Sequence, residues 1–253
     1  KELIYKMAKS GVLNELTAER VWKELSRALL DPYPHLFVET LLETDTLHIL
    51  FPEVYALVSA LESHKWHPEG NAFAHTMLVL QAASKLDIEE HLKLAVMFAS
   101  LVHDFGKGLT KKEHFPKHYG HDVNGVPLVE AFADRLKVET KIKEWAMKAT
   151  RYHMNMHLLD DMKAKTFVKM FDAMQAKNDP VSVQVLLHVG EADARGRLGS
   201  HNEDVSNKKK LLTAFNAYNN TKFYDVFPNG ETNVEKIKQK LFEARVDNVE
   251  RVL

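Results

Sequence analysis

Leu94-Ala95-Val96-Met97-Phe98-Ala99-Ser100-Leu101-Val102-His103-Asp104-Phe105-Gly106-Lys107 is the stretch on which the fold turns. Its first part is apolar on every side, the pattern of a helix buried all round. It runs directly into an imidazole and a carboxylate. Burying such a pair is costly unless it is hydrogen-bonded or holds a metal. Neighbouring side chains on a helix point about 100° apart, but in the last turn both can lean toward one point. A surface His-Asp dipeptide closing a helix is the ordinary alternative, and the apolar run before the pair and the glycine after it speak against it. Further candidate ligands stand at intervals: His75 before the pair, then His121, His153 and Asp193. Nitrogen and oxygen donors of this kind suit Mn, Fe(II), Ni or Mg.

Outward from this stretch the periodicity is helical almost throughout. Thr17 is an N-cap for a helix over 18–30, with Val21, Trp22, Leu25 and Leu29 on one face. Asp31-Pro32-Tyr33-Pro34 ends it. Helices are expected at 35–43 and 52–61, then a loop over 63–70 carrying Trp66, His67 and Pro68. Asn71 caps a helix to about residue 86, with His75 on its first turn. Residues 106–125 read as a long polar loop holding His114, Lys117, His118 and His121, and loops of that length are often functional. Helices resume at 126–136, 140–153, 163–174 and 180–194. Val181-Ser182-Val183-Gln184-Val185 alternates like a strand, but Asp179 as cap and Pro180 at the first position favour a helix. Tail helices are expected near 207–218 and 234–252, separated by a turn-rich segment.

The chain has 253 residues, 45% hydrophobic and 27% charged, which describes an ordinary globular composition with room for a sizeable core. There is no cysteine, so disulfides, thiolate zinc sites and a cysteine nucleophile are excluded, and a reducing compartment, the cytoplasm, is the expected location. A net charge of −1 gives no overall basic footprint. No stretch approaches the roughly eighteen apolar residues of a membrane span. The start Lys1-Glu2-Leu3-Ile4-Tyr5-Lys6 lacks a signal-peptide core and an initiating methionine, and it reads as the start of a fragment or processed product. No G-x-S-x-G elbow, G-x-G-x-x-G turn or H-E-x-x-H helix is present, and Gly106-Lys107-Gly108 lacks the Ser or Thr a P-loop needs.

Taken alone, His75 would be a satisfied core histidine. Beside His103-Asp104 it becomes a candidate first ligand. Asp193 closes another apolar helix and is flanked by Ala192 and Ala194, which leave room for approach; it is the candidate final ligand rather than a salt-bridge partner of Arg195. His121 and His153, with His118 and Lys117 nearby, either complete a second metal site or contact substrate. Lys107 and Arg195 suit the negative charge of a phosphate, as a point charge and a fork respectively.

The H…HD…D order resembles the HD superfamily of metal-dependent phosphohydrolases. Trp66-His67-Pro68-Glu69-Gly70-Asn71-x-x-x-His75-Thr76 further resembles the W-H-P-E-G-D-x-x-x-H-T segment of bacterial tRNA nucleotidyltransferases, the multifunctional CCA-adding enzymes. Glu19-Arg20-Val21-Trp22-Lys23-Glu24-Leu25 is similar to their neck motif, His118-x-Gly120-His121 to their H-x-G-H loop, and Glu191-Ala192-Asp193-Ala194-Arg195-Gly196-Arg197 to their E-A-D-A-R-G-R. A fainter likeness continues to Lys236-Ile237-x-x-x-Leu241-x-x-Ala244-Arg245. Their head motif, D-x-D carboxylate pair and E-D-x-x-R motif are missing from this chain, so the resemblance implies neck plus HD body without the polymerising head.

The expectation is therefore an all-α HD fold in three parts: a helical neck over 1–65, an HD phosphohydrolase domain over 66–200 and a helical tail over 201–253. The resemblance implies 2′,3′-cyclic phosphodiesterase, 2′-nucleotidase and phosphatase activity in tRNA 3′-end maturation and repair. A divalent ion (Ni, Mn, Mg or Co) would be held by His75, His103, Asp104 and Asp193. Asp104 would orient or deprotonate the water, with His103 and Lys107 as its catalytic neighbours. The expected partners are a tRNA 3′ end or 2′,3′-cyclic phosphate nucleotides, and a homodimer is left open. Two other readings stand beside this one: a tRNA acceptor-end binding module with a vestigial HD site, and an HD hydrolase of free nucleotides.

Overall fold

The computed structural model describes residues 2–199 and 208–253. The fold is all-α, with fourteen α-helices among the described residues and a single isolated β-bridge between Leu61 and Asn71. No helix is long and apolar enough to cross a membrane. The expected start of the tail at 201, and Asn207 at the head of its first helix, lie outside the described residues.

The neck begins with α1 (Glu2–Lys9) and, after a short 3-10 turn, α2 (Ala18–Leu29). Thr17 caps α2 as expected, its hydroxyl accepting from the Arg20 N–H at 3.4 Å. The buried face of α2 is Trp22, Leu25 and Leu29. The Trp22 ring meets Phe98 edge-on at 5.4 Å, and its indole N–H donates to Glu139 at 3.0 Å. α3 (Pro34–Glu43), α4 (Leu47–Leu50) and α5 (Pro52–Ala56) follow, with a 3-10 turn over Leu57–Ser59 where a longer helix was expected.

α6 (Ala72–Ser84) and α7 (Glu90–Val102) are the central helices, and both bury residues around most of their circumference. Asn71 caps α6, accepting from Ala74 N–H at 2.8 Å. α8 (His121–Leu136), α9 (Thr140–Met156) and α11 (Val181–Arg195) close around α7, while α10 (Ala164–Ala173) leads toward the tail. One core runs without a break from Trp22, Leu25 and Val38 of the neck to Val96, Phe98, Phe132 and Val189. Rings are its scaffold: Phe132 touches Phe51, Phe98 and Phe105 at centroid separations of 5.9, 6.1 and 5.2 Å.

A second core joins the end of α9 and α10 to α12 (Lys208–Asn220) and α14 (Val234–Glu250), with α13 (Phe223–Val226) between those two. α11 serves both cores, giving Val185 and Val189 to the first and Val183 and Leu186 to the second. Arg245 of α14 stacks 4.7 Å from the Tyr218 ring and pairs with Asp172 at 2.6 Å, and the Tyr218 hydroxyl donates to the same carboxylate.

The stretch 106–125 is not the long loop expected of it. Phe105–Leu109 and Lys112–His114 form 3-10 turns, and α8 begins at His121. Gly120 makes the turn into α8 in the left-handed region (φ 71°), which glycine adopts without steric cost. Pro127 inside α8 explains the misreading: a proline normally marks the first turn of a helix, so the polar turn before it was hidden. The strand-like run at 181–185 is helical.

Gly106 lets the 3-10 turn after Asp104 and the first turn of α8 meet backbone to backbone. A Cβ at Gly106 would lie 2.0 Å from the His121 carbonyl oxygen and 2.8 Å from the Gly125 nitrogen. Neither backbone atom can move without moving α8. Gly106→Ala should therefore destabilise the chain by about 1–3 kcal/mol or more, the scale of overpacking. Urea unfolding measures it, and an unchanged midpoint would contradict this packing.

Candidate metal centre

Five helix ends bring the polar residues together. His75 is on the first turn of α6, His103 caps the C-terminal end of α7, Asp104 follows it, His121 opens α8, His153 is near the end of α9 and Asp193 near the end of α11. All six are buried.

Three of the histidines share one device. The Nδ1 of His103 lies 2.8 Å from the Ser100 carbonyl, that of His121 2.7 Å from the His118 carbonyl, and that of His153 2.8 Å from the Thr150 carbonyl. A carbonyl oxygen only accepts, so each ring carries its proton on Nδ1 and presents a lone pair at Nε2. These lone pairs converge on Asp104. His121 and His153 Nε2 stand 3.4 and 3.5 Å from its Oδ1 and 3.1 Å from one another. His103 Nε2 is 3.3 Å from its Oδ2. A hydrogen bond between His121 and His153 would need one ring doubly protonated. Burial instead pushes His121 down to about 4, against the pull of the Asp104 charge.

His103 Nε2 and both Asp104 oxygens have no hydrogen-bond partner. Lys107 Nζ approaches Asp104 Oδ2 to 2.8 Å as an ion pair, outside hydrogen-bond alignment. Acceptors facing acceptors in a buried site repel unless a cation lies among them. Backbone carbonyls that fix the Nδ1 proton are the usual outer support of metal-bound imidazoles. The residues therefore fit a divalent ion. Two donor groups share Asp104: His75 with His103, and His121 with His153.

His75 is bonded on both sides. Its Nε2 is 3.0 Å from Asp193 Oδ1 and its Nδ1 3.1 Å from Glu69 Oε1. Burial alone would lower its pKa, but these two carboxylates raise it to about 9. The second oxygen of Asp193 accepts from His157 Nε2 at 2.7 Å, and Arg197 lies 3.2 Å from the other nitrogen of that ring. Against the cost of burial, His157 and His75 hold Asp193 well below the usual carboxylate range. Asp104 is likewise held low, by Lys107. Burial would lower Lys107, but Asp104 and Glu62, the latter at 2.6 Å, keep it protonated above its ordinary value.

These groups floor a cleft of about 730 Å³ lined by Asp104, Lys107, His121, His153, Asp193 and Arg197 among others. Four of the expected residues do not line it: the buried His75 and His103, and two others. Lys117 is exposed on its loop and does not line the cleft. Arg195 lies nearly half a helical turn from Asp193, pairs with Glu191 at 2.8 Å and is also absent from the lining. His118 reaches the cleft, but its nitrogens are taken by the Thr110 hydroxyl at 2.9 Å and the Leu61 carbonyl at 3.0 Å, which makes it a tether. Sequence reading passed over Glu62, Glu69, His157 and Arg197. The legible signal was the i, i+4 spacing of His153 and His157 at a helix end, which puts both on one face.

Two family matches accompany this geometry. Residues 1–57 match the family described as "Probable RNA and SrmB- binding site of polymerase A". Residues 72–194 match the HD domain. The neck match ends just before the segment that carries Glu62 and Glu69, and the HD match spans from α6 to Asp193 and Ala194. In this order and over these residues the two matches correspond to the neck and HD part of a CCA-adding tRNA nucleotidyltransferase, with an HD domain at residues 72–194.

Proposed function

We propose that the chain is a metal-dependent phosphohydrolase of nucleotide and RNA 3′ ends, with 2′,3′-cyclic phosphodiesterase, 2′-nucleotidase and phosphatase activity in tRNA 3′-end maturation and repair. The observation that carries this reading is the convergence of unprotonated imidazole nitrogens on an orphaned, buried carboxylate at the floor of an open cleft. The neck match supports an RNA substrate. Neck (1–65), HD body (66–200) and tail (201–253) are the proposed units, although neck and body share one core.

His75, His103, Asp104 and Asp193 would hold the ion. When bound, a divalent ion supplies a water of lowered pKa and neutralises phosphate charge. The imidazole-rich donor set suits Ni, Co or Mn better than Mg, which prefers oxygen. Asp104 would orient the attacking water or take its proton. Lys107, locked between Glu62 and Asp104, is a fixed positive charge beside that carboxylate. Arg197 takes the phosphate-facing role expected of Arg195, because it lines the cleft. In hydrolysis of a cyclic phosphate, water oxygen bonds to phosphorus and one ribose oxygen leaves with a proton.

For His121 and His153 the geometry favours a second ion over substrate contact. His121 stands on the first turn of a helix, not on the long loop expected over 106–125, and its ring is fixed by a carbonyl. Replacing either histidine by alanine should lower metal content by about one ion per chain. Unchanged metal content with a raised KM for a 2′,3′-cyclic nucleotide would assign them to the substrate.

Asp104→Ala should abolish metal binding and phosphodiesterase activity while the helical circular dichroism persists. Turnover at the wild-type rate with metal still bound would remove Asp104 from the centre.

Metal binding should also displace a proton from His75. Its pKa in the metal-free fold is about 9 against an ordinary 6.5. A raised folded pKa means that the His75 contribution to the stability of the metal-free chain is complete below 6.5 and disappears as pH rises through about 9. Calorimetry of metal binding at pH 7.5 in buffers of different ionisation enthalpy should show release of about one proton, and less in Glu69→Gln. No difference between buffers would refute a protonated His75.

A further inference from the structure

Two large aromatic side chains on the rim of the cleft do no structural work that the fold requires. Trp66 is 59% exposed and Tyr119 82% exposed, and both line the cleft that Asp104, His121 and Asp193 floor. The other two tryptophans show what a structural indole looks like here. Trp22 donates its N–H to Glu139, and Trp145 donates its N–H to Asp179. Among the described residues Trp66 makes no such bond, and its polar company is Lys65 Nζ, 4.5 Å from the ring centroid.

Both aromatics are nevertheless held in place. The loop bearing Trp66 is closed at its base by Glu62 N–H to the Gly70 carbonyl at 3.0 Å and Ala72 N–H to the Ala60 carbonyl at 2.9 Å. Within it, Trp66 and His67 N–H groups both reach the Ser63 carbonyl. His67 is bonded to Glu69 at 2.9 Å, and its ring packs 4.6 Å from His75. Tyr119 follows His118, whose ring is bonded to the Leu61 carbonyl, so its loop is fastened to the segment that carries Trp66. Each ring is thus displayed on a pinned backbone, within two residues of a histidine of the polar cluster.

Resting on the phosphohydrolase reading above, we propose that Trp66 and Tyr119 are stacking platforms for the nucleobase of the substrate, so that the cleft selects a base-bearing phosphate ester over a base-free one. An aromatic face displayed on a pinned backbone at the rim of a cleft stacks any base without needing its hydrogen-bonding edge. The shared ligand chemistry is a nucleobase attached to the scissile phosphate, whether in a free nucleotide or at an RNA end.

The test compares the metal-loaded chain with Trp66→Ala, Tyr119→Ala and Trp66→Phe on 2′,3′-cyclic AMP and on glycerol 1,2-cyclic phosphate, which presents the same ester without a base. KM for cyclic AMP should rise about tenfold in Trp66→Ala and in Tyr119→Ala, with Trp66→Phe restoring most of the loss. The base-free ester should be handled equally by all four proteins. Equal losses on both substrates, or no loss on either, would overturn the proposal. A dinucleotide ending in a cyclic phosphate identifies the source: a lower KM than cyclic AMP that Tyr119→Ala abolishes supports an RNA end, and an equal KM supports a free nucleotide.

A binding measurement keeps the platforms distinct from the chemistry. Adenosine 2′-phosphate should quench the fluorescence of exposed Trp66, glycerol 2-phosphate should not, and the quenching should vanish in Trp66→Phe. Should the wild type hydrolyse neither cyclic ester, the phosphohydrolase reading fails while this titration still decides the stacking. Absence of quenching, or quenching unchanged in Trp66→Phe, would refute it.

Discussion

The rest of the structure depends on the lone pairs that His103, His121 and His153 aim at Asp104. Each ring is turned by its own helix, because each Nδ1 donates to the carbonyl three residues earlier. The helix end is therefore both the support and the orienting device. A helix C-terminus leaves carbonyls without intrahelical partners, and His103, at the end of α7, uses that surplus. The cost of crowding acceptors around a carboxylate is borne by packing elsewhere, and the phenylalanine cluster behind Phe132 is the densest part of that support.

Charge around the centre is graded. Asp104 and Asp193 stay ionised because each has a cationic or imidazole neighbour that outweighs the penalty of burial. Behind them stand Glu62, which holds Lys107, and Glu69, which holds both His67 and His75. Glu69 also accepts from the Leu198 backbone N–H at 3.3 Å, tying the segment that carries Arg197 to the loop that carries Trp66. One carboxylate thereby links the wall of the centre to two parts of the cleft rim.

The neck is more than an appendage to this site. Trp22 packs on Phe98 of the very helix that delivers His103, and Glu139 at the start of α9 binds its indole. The segment between the two family matches supplies Glu62, Trp66, His67 and Glu69. Neck and HD body are thus joined through one continuous core.

The local pattern by itself determined the helical class, the caps Thr17 and Asn71, and the burial of 94–102 together with His103-Asp104. It did so because periodicity and capping are properties of a few adjacent residues. It also marked His75 and Asp193 through the order of their motifs. Only the tertiary structure decided that α8 starts at His121, since Pro127 imitates a helix start and the close approach of Gly106 to the His121 carbonyl is a contact between distant segments. Likewise, Arg197 rather than Arg195 faces the cleft, and His118 is a tether, because the direction of a side chain near a helix end is set by what packs against it. At which oxygen of Asp104 each free imidazole nitrogen points depends on helix ends meeting within a few ångströms, and no single segment of the chain holds that information.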